Sequence, residues 1–176
     1  MDQALKDKRE DFTKALLLLA EVLAKDVAND IFMRAAAVKH FEMCFELCWK
    51  TAKEFVLSKF GDNILSPKET FRALQKYGAI GAEETELMLK MVQDRNLTAH
   101  TYEEEFITAL AARLPEYYQA MRAVEAAVRV WEKFFTSPMP DLDWQLRGRP
   151  SGGVPHLLNS LKRCKLLYET KISPVG

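Results

Sequence analysis

The sequence predicts an all-α protein, a bundle of four to five helices over residues 1–135 followed by a loosely attached tail. Strand signals are nearly absent, since the chain has no alternating β-branched runs and no Asn-Gly or Asp-Gly hairpin turn. Gly and Pro number seven each, and neither occurs in the first 60 residues. Apolar residues instead recur at helical spacing between residues that are typical of helix ends.

The first two predicted helices run from about Asp2 to Lys25 and from Asn29 or Asp30 to Gly61. Either Asn29 or Asp30 can accept hydrogen bonds from the free amides at the start of the second helix. Gly61 suits its end because glycine tolerates the left-handed conformation. Each helix carries an apolar stripe, formed by Leu5, Phe12, Leu16, Leu19 and Leu23 in the first and by Val38, Phe41, Phe45, Cys48, Ala52 and Phe55 in the second.

Capping signals mark the third and fourth helices. Ser66–Glu69 reads Ser-Pro-Lys-Glu, a capping box with a proline in the first turn, and it predicts the start of the third helix. Gly78 is expected to close that helix, and the fourth helix is expected to begin near Ala82.

A second capping box, Thr101–Glu104, predicts that a fifth helix starts there and runs to about Phe135, with a kink at Pro115. The composition then changes, because residues 136–153 contain Pro138, Pro140, Gly148, Pro150, Gly152 and Gly153. We therefore interpret residues 136–176 as a linker and a basic C-terminal tail of unknown role.

Composition excludes several classes of protein. Lys+Arg and Asp+Glu balance at 25 each, so any contact with nucleic acid must be local. Three cysteines without framework spacing argue against a disulfide scaffold and predict a reducing cytoplasm. The charged start of the chain lacks the apolar segment of a signal peptide. The longest apolar run, Ala15–Ala20, is far shorter than the ~20 residues of a membrane span.

The strongest candidates for chemistry lie between the fourth and fifth predicted helices. Arg95 is near the end of the fourth helix. His100 precedes the Thr101 capping box, where free amides and the helix dipole favour an anion and disfavour imidazolium. In one uninterrupted helix, five residues would set Arg95 and His100 about 140° apart. A break between them, or a second subunit, is therefore needed to bring them to one phosphate.

These two residue types suit the cleavage of RNA through its own 2′-hydroxyl. A histidine near neutrality can accept and donate the protons, and a planar arginine can hold the phosphate while negative charge develops on it. This chemistry requires no metal and no cofactor. The plainer interpretation is that His100 satisfies a helix end and that Arg95 is a cation favoured at a helix C-terminus.

Three segments resemble a known family. Arg95–Tyr102 resembles the Arg-x4-His-x-Tyr motif of HEPN proteins, including a polar residue after the arginine. Phe41–Lys50 resembles the FE..FE..WK helix of one branch, the nucleotidyltransferase substrate-binding proteins, and Ser66–Arg72 resembles its SP.E.FR turn. The resemblance covers about residues 5–130.

This resemblance implies an antiparallel, up-and-down bundle that forms a homodimer, with the Arg/His pairs of two chains in a composite cleft. It also implies a genetically linked partner, a minimal nucleotidyltransferase. Members of this kind act as metal-independent RNase toxins, and in some pairs the partner, as antitoxin, silences the toxin by adding AMP to the tyrosine of the motif. Carried over, Arg95 and His100 are catalytic, Asn96 is a supporting polar group and Tyr102 is the modification site.

Two other interpretations remain open. The resemblance also implies that some members are non-catalytic subunits that present a nucleotide or another substrate to the nucleotidyltransferase. A structural helical dimer with a vestigial motif is the third interpretation. Cleavage of RNA without added metal distinguishes the first interpretation from the other two.

Further residues have alternative interpretations. Glu42 and Glu46 share one face of the second helix and, with Asp94, are candidates for lining the cleft. The two glutamates could instead pair with Arg95, and a solvated or salt-bridged face explains them at least as well. Trp49 is more typical of a core residue than of a base-stacking platform.

The signals for metal binding by the second helix and for RNA binding by the tail are weaker. His40, Cys44 and Cys48 step by four, as metal ligands can, but Cys48 belongs to the apolar stripe and a fourth ligand is lacking. We therefore predict no metal site. The tail contains a small basic cluster, formed by Lys162, Arg163 and Lys165, which is a weak electrostatic signal for RNA.

Overall fold

The computed structural model describes residues 3–98 and 103–136, and the side chains among these up to residue 132. This part of the chain is all-α, as predicted, and contains no strand. Its five helices are α1 (Gln3–Leu23), α2 (Ile31–Phe60), α3 (Pro67–Lys76), α4 (Ala82–Thr98) and α5 (Glu104–Thr136). No helix within it is long and apolar enough to span a bilayer. The predicted tail lies outside the described residues, except that Thr136 still belongs to α5.

Contacts between the helices define an antiparallel, up-and-down bundle. Near the start of α1, Lys8 pairs with Glu54 near the end of α2, and Arg9 pairs with Glu132 near the end of α5. The last turn of α4 meets the middle of α2 and the first half of α5. Four long helices therefore alternate in direction, and the short α3 packs between α2 and α4.

Capping residues set the ends of α2 where the sequence predicts them. The Asp30 carboxylate accepts hydrogen bonds from the amides of Phe32 (2.8 Å) and Met33 (3.2 Å), so Asp30 rather than Asn29 is the N-cap. Gly61 adopts the left-handed conformation, with φ 75°, and its N–H donates to the Leu57 carbonyl at 3.0 Å. The Asp30 carboxylate thus binds backbone N–H groups of the first turn, and Gly61 binds a backbone carbonyl of the last turn. These groups have no partner within the helix itself.

Both predicted ends of α3 are present, whereas the predicted start of α5 needs correction. Ser66 caps α3, but its hydroxyl both accepts from the Glu69 amide and donates to the Glu69 carboxylate, which replaces the usual bond to the Ser66 amide. Gly78 has φ 72° and follows the C-cap Tyr77, and its N–H donates to the Gln75 carbonyl at 2.9 Å, so Gly78 closes α3 as predicted. The Thr101 capping box predicts a start that is two residues too early, because Glu103 is not helical and α5 begins at Glu104. The helix continues through Pro115.

The two predicted apolar stripes form the centre of the core. All six residues of the α2 stripe are buried, as are four of the five in α1, whereas Leu23 at the end of α1 is only half-buried. Aromatic contacts connect α2 to its neighbours: Phe41 stacks on Tyr117 of α5 at 5.8 Å, and Phe45 meets the edge of Phe71 of α3 at 6.2 Å. Helix α2 is therefore the central element of the bundle.

Replacing the α2 N-cap should reduce stability by a predictable amount. Asp30→Ala removes the acceptor for two amides and should lower the free energy of unfolding by about 1 kcal/mol. Asp30→Asn keeps a good capping acceptor and should retain most of that stability. Urea unfolding of both variants measures the difference, and equal losses in the two would contradict the capping role.

Candidate functional site

The last turn of α4, where the Arg-x4-His-x-Tyr segment begins, has polar contacts on two sides. Consecutive residues in a helix point about 100° apart. Asp94 accordingly faces α5, where it contacts Arg113 and Tyr117, whereas Arg95 faces α2, where it contacts Glu46. The turn is thus attached to both long helices at adjacent residues.

Arg95 presents a partly exposed guanidinium beside α2. Its Nη2 lies 3.2 Å from Oε1 of Glu46, and 30% of its side chain is exposed. Its Nε is buried and has no hydrogen-bond partner among the described residues. Since a guanidinium carries five N–H donors, this ion pair leaves donors on Arg95 for a phosphate.

Glu42 and Glu46 are both engaged by neighbouring side chains. Oε2 of Glu46 accepts from the Trp49 indole N–H at 3.0 Å and lies 3.5 Å from Lys50 Nζ. Oε1 of Glu42 accepts from the Thr98 hydroxyl at 2.6 Å, and its other oxygen lies 3.4 Å from Nζ of a lysine in the preceding turn. The pair between Arg95 and the glutamate face, one of the two alternatives open from the sequence, is present at Glu46.

Asp94 is buried between α4 and α5. Its Oδ2 accepts from Arg113 Nε at 2.8 Å and from the Tyr117 hydroxyl at 2.6 Å. Burial, together with the hydrogen bond to Asp94, raises the pKa of Tyr117 well above its ordinary value, so the hydroxyl remains a donor. Asp94 therefore faces the interior of the bundle, where it anchors the last turn of α4.

Sequence reasoning missed Arg113 and Tyr117 as partners of Asp94. The available signal was weak: both residues lie four apart on one face of α5, a spacing that many helix residues share. Nothing in that spacing identifies which acidic residue they meet.

Of the remaining motif residues, Asn96 belongs to the described part of the chain, and His100 and Tyr102 do not. Asn96 is exposed on α4. Helix α4 extends to Thr98, whose hydroxyl oxygen lies 2.7 Å from the Arg95 carbonyl oxygen, and Glu103 is not helical. Glu103 thus separates α4 from α5, whereas the break required between Arg95 and His100 falls on residues outside the described part of the chain.

The cysteine pair on α2 has the properties of core thiols. Cys44 and Cys48 are buried, and burial raises the pKa of Cys44 to about 12. Burial, and to a lesser extent the neighbouring Cys44, raises the pKa of Cys48 as well. The structure holds no set of three His, Cys, Asp or Glu side chains placed to bind a metal ion within residues 3–98 and 103–132. Because thiolates, not thiols, bind metals, this pair suits packing.

Comparisons with known proteins identify relatives of this chain. The family model described as "Nucleotidyltransferase substrate binding protein like" matches residues 7–130. A Thermus thermophilus protein of known structure is 36% identical, with a TM-score of 0.64, over 67% of this chain and 98% of its own. Comparison with curated proteins gave no match.

Two further solved structures share the fold at low identity. One is a tri-AMPylated Shewanella oneidensis HEPN toxin in complex with its MNT antitoxin, 15% identical with a TM-score of 0.62 over 74% of this chain and 99% of that one. The other is a mutant of the toxin–antitoxin MntA-HpeT, 14% identical with a TM-score of 0.62 over 73% of this chain and 99% of that one.

Removing the Tyr117 hydroxyl should weaken the attachment of α4 to α5. Tyr117→Phe deletes a buried hydrogen bond to a carboxylate and should lower the free energy of unfolding by about 1.5–3 kcal/mol. Tyr118→Phe is the matched control, because Tyr118 is the next residue of α5 and is only half-buried. Chemical denaturation measures both, and equal effects would contradict the role of the Asp94 network.

Native Cys44 and Cys48 should resist thiol reagents. With Cys164 changed to Ser, both should stay unmodified by Ellman's reagent at about pH 8, because the pKa of Cys44 is raised to about 12 and the thiolate is the reactive form. In guanidinium chloride both should react at once. Rapid stoichiometric reaction of the native protein would show that the thiols are accessible and ionised.

Proposed function

The chain belongs to the nucleotidyltransferase substrate binding protein-like family, and from this we propose that it is the HEPN-type partner of a minimal nucleotidyltransferase and acts as a metal-independent RNase toxin. The partner is the antitoxin. One observation carries the proposal: Arg95, the first residue of the Arg-x4-His-x-Tyr motif, presents a partly exposed guanidinium in the last turn of α4, and its Nε has no hydrogen-bond partner among the described residues. The likeness to a HEPN toxin bound to an MNT antitoxin supports the choice of partner.

In the proposed reaction, His100 accepts the proton of the RNA 2′-hydroxyl as its oxygen attacks the adjacent phosphorus. The bond from phosphorus to the 5′-oxygen of the next nucleotide breaks, and a proton returns to that leaving oxygen. Arg95 stabilises the negative charge that develops on the phosphoryl oxygens. Asn96, exposed beside Arg95, is the supporting polar group. These steps need acid–base and electrostatic catalysis only.

The proposal includes a composite cleft in a homodimer. Two chains place their Arg95 and His100 pairs beside a shared interface, and Glu42 and Glu46 line the approach. RNA binding is local in this arrangement, which agrees with an overall charge balance of 25 basic and 25 acidic residues.

We further propose that the nucleotidyltransferase silences the toxin by adding AMP to Tyr102. The tri-AMPylated state of the Shewanella oneidensis toxin supports this step. An AMP group on Tyr102 would place a bulky anion two residues from His100, where it would block the cleft and compete for Arg95.

The alternative function is a non-catalytic subunit that presents a nucleotide or another substrate to the nucleotidyltransferase. The description of the matching family model, which names substrate binding, favours it. This alternative predicts complex formation with the nucleotidyltransferase and no cleavage of RNA by the isolated chain.

A metal-free RNase assay tests the proposal. In EDTA, wild type should cleave RNA, and His100→Ala and Arg95→Ala should each reduce the rate by about 10²–10⁴-fold, the usual contribution of such groups. Arg72→Ala is the matched control, since it removes an exposed arginine from α3.

Each outcome of this assay has a distinct meaning. Equal cleavage by all four proteins would reject Arg95 and His100 as catalytic residues. No cleavage by folded, unmodified wild type, together with a stable complex with the nucleotidyltransferase, would establish the substrate-presenting subunit instead.

A further inference from the structure

Glu46 engages one of the N–H groups with which Arg95 could bind a substrate phosphate. Its Oε1 lies 3.2 Å from Nη2 of Arg95, on the partly exposed end of the guanidinium. A phosphate oxygen that binds the same N–H group must replace this carboxylate oxygen, because both are acceptors for one donor.

The carboxylate of Glu46 is held by its own helix. Its second oxygen accepts from the Trp49 indole at 3.0 Å and lies 3.5 Å from Lys50 Nζ, and both partners are one turn further along α2. These bonds do not depend on Arg95. When a phosphate binds Arg95 in place of Glu46, the negative charge of Glu46 therefore stays nearby and repels the phosphate.

We propose that Glu46 is a built-in competitor for the phosphate-binding arginine, and this inference rests on the proposed role of Arg95 at the site. In the free protein Glu46 forms an ion pair with Arg95, and an anionic ligand binds more weakly because it must break that pair. Single weak anions do not displace it, whereas a polynucleotide gains enough contacts along its backbone to do so. Glu46 is thus a specificity-determining residue, and it takes no part in bond cleavage.

The chain supplies a matched control for this inference. Glu42 lies one turn before Glu46 on α2, and its carboxylate binds Thr98 and a lysine of α2 instead of Arg95. Glu42→Gln and Glu46→Gln remove the same charge from the same helix, so a general electrostatic effect is similar in both. Only Glu46→Gln releases Arg95, and glutamine at position 46 retains an acceptor for the Trp49 indole.

The experiment measures binding of a 2′-O-methyl RNA oligonucleotide, which has no free 2′-hydroxyl and cannot be cleaved by the proposed route. The full chain is used as wild type, Glu46→Gln, Glu42→Gln, Arg95→Gln and the Glu46→Gln/Arg95→Gln double variant. Glu46→Gln should tighten binding by up to about fivefold, the upper end of the range for releasing one partly exposed ion pair. Glu42→Gln should change it clearly less, and the effect of Glu46→Gln should vanish when Arg95 is absent. Thermal unfolding shows that each variant is folded.

Three results would overturn the inference: weaker or unchanged binding by Glu46→Gln, an equal gain in Glu42→Gln, or no binding by wild type and Glu46→Gln alike. Cleavage of ordinary RNA is scored separately. If wild type cleaves RNA but Glu46→Gln does not tighten binding, the competitor is rejected and the ribonuclease stands. If Glu46→Gln tightens binding but no protein cleaves RNA, the competitor stands and the ribonuclease is rejected.

Discussion

The buried carboxylate of Asp94 restricts how α4 can pack. A buried charge without partners costs several kcal/mol, so Asp94 must meet donors on the helix that covers it. Arg113 and Tyr117 supply them from α5 at 2.8 and 2.6 Å. This contact sets the rotation of α4 about its axis, and Arg95, the next residue, consequently faces α2. The position of the candidate catalytic arginine depends on a contact made by its neighbour.

Helix α2 serves both the core and the site. One side carries the apolar stripe that packs against α1 and α5, and the other carries Glu42 and Glu46, which meet the last turn of α4. Because the interior is close-packed and transmits displacements, a change of side-chain volume in the core stripe can shift α2 and, with it, Glu46. Substitutions in the core of α2 can therefore alter the site without touching it.

The family and the fold carry different amounts of functional information. The family model matches residues 7–130, and this range includes all the motif residues. The toxin structures at 14% and 15% identity share the bundle, and a shared bundle is compatible with more than one activity. The shared fold therefore does not choose between a ribonuclease and a substrate-presenting subunit, and that choice depends on the chemistry of the motif residues.

The sequence alone predicts the helices, the apolar stripes and most helix ends, because these depend on local spacing and on capping residues such as Asp30, Gly61 and Ser66. It also located the candidate motif, since the order of residues along the chain is enough to recognise it. The partners of Asp94 and Arg95 required the tertiary structure. Those of Asp94 lie 19 and 23 residues away in sequence, and the partner of Arg95 lies on another helix. Helical periodicity states which face a residue occupies but not which helix covers that face. The start of α5 needed the structure too, because the capping pattern at Thr101 predicts it two residues before Glu104, where the helix begins.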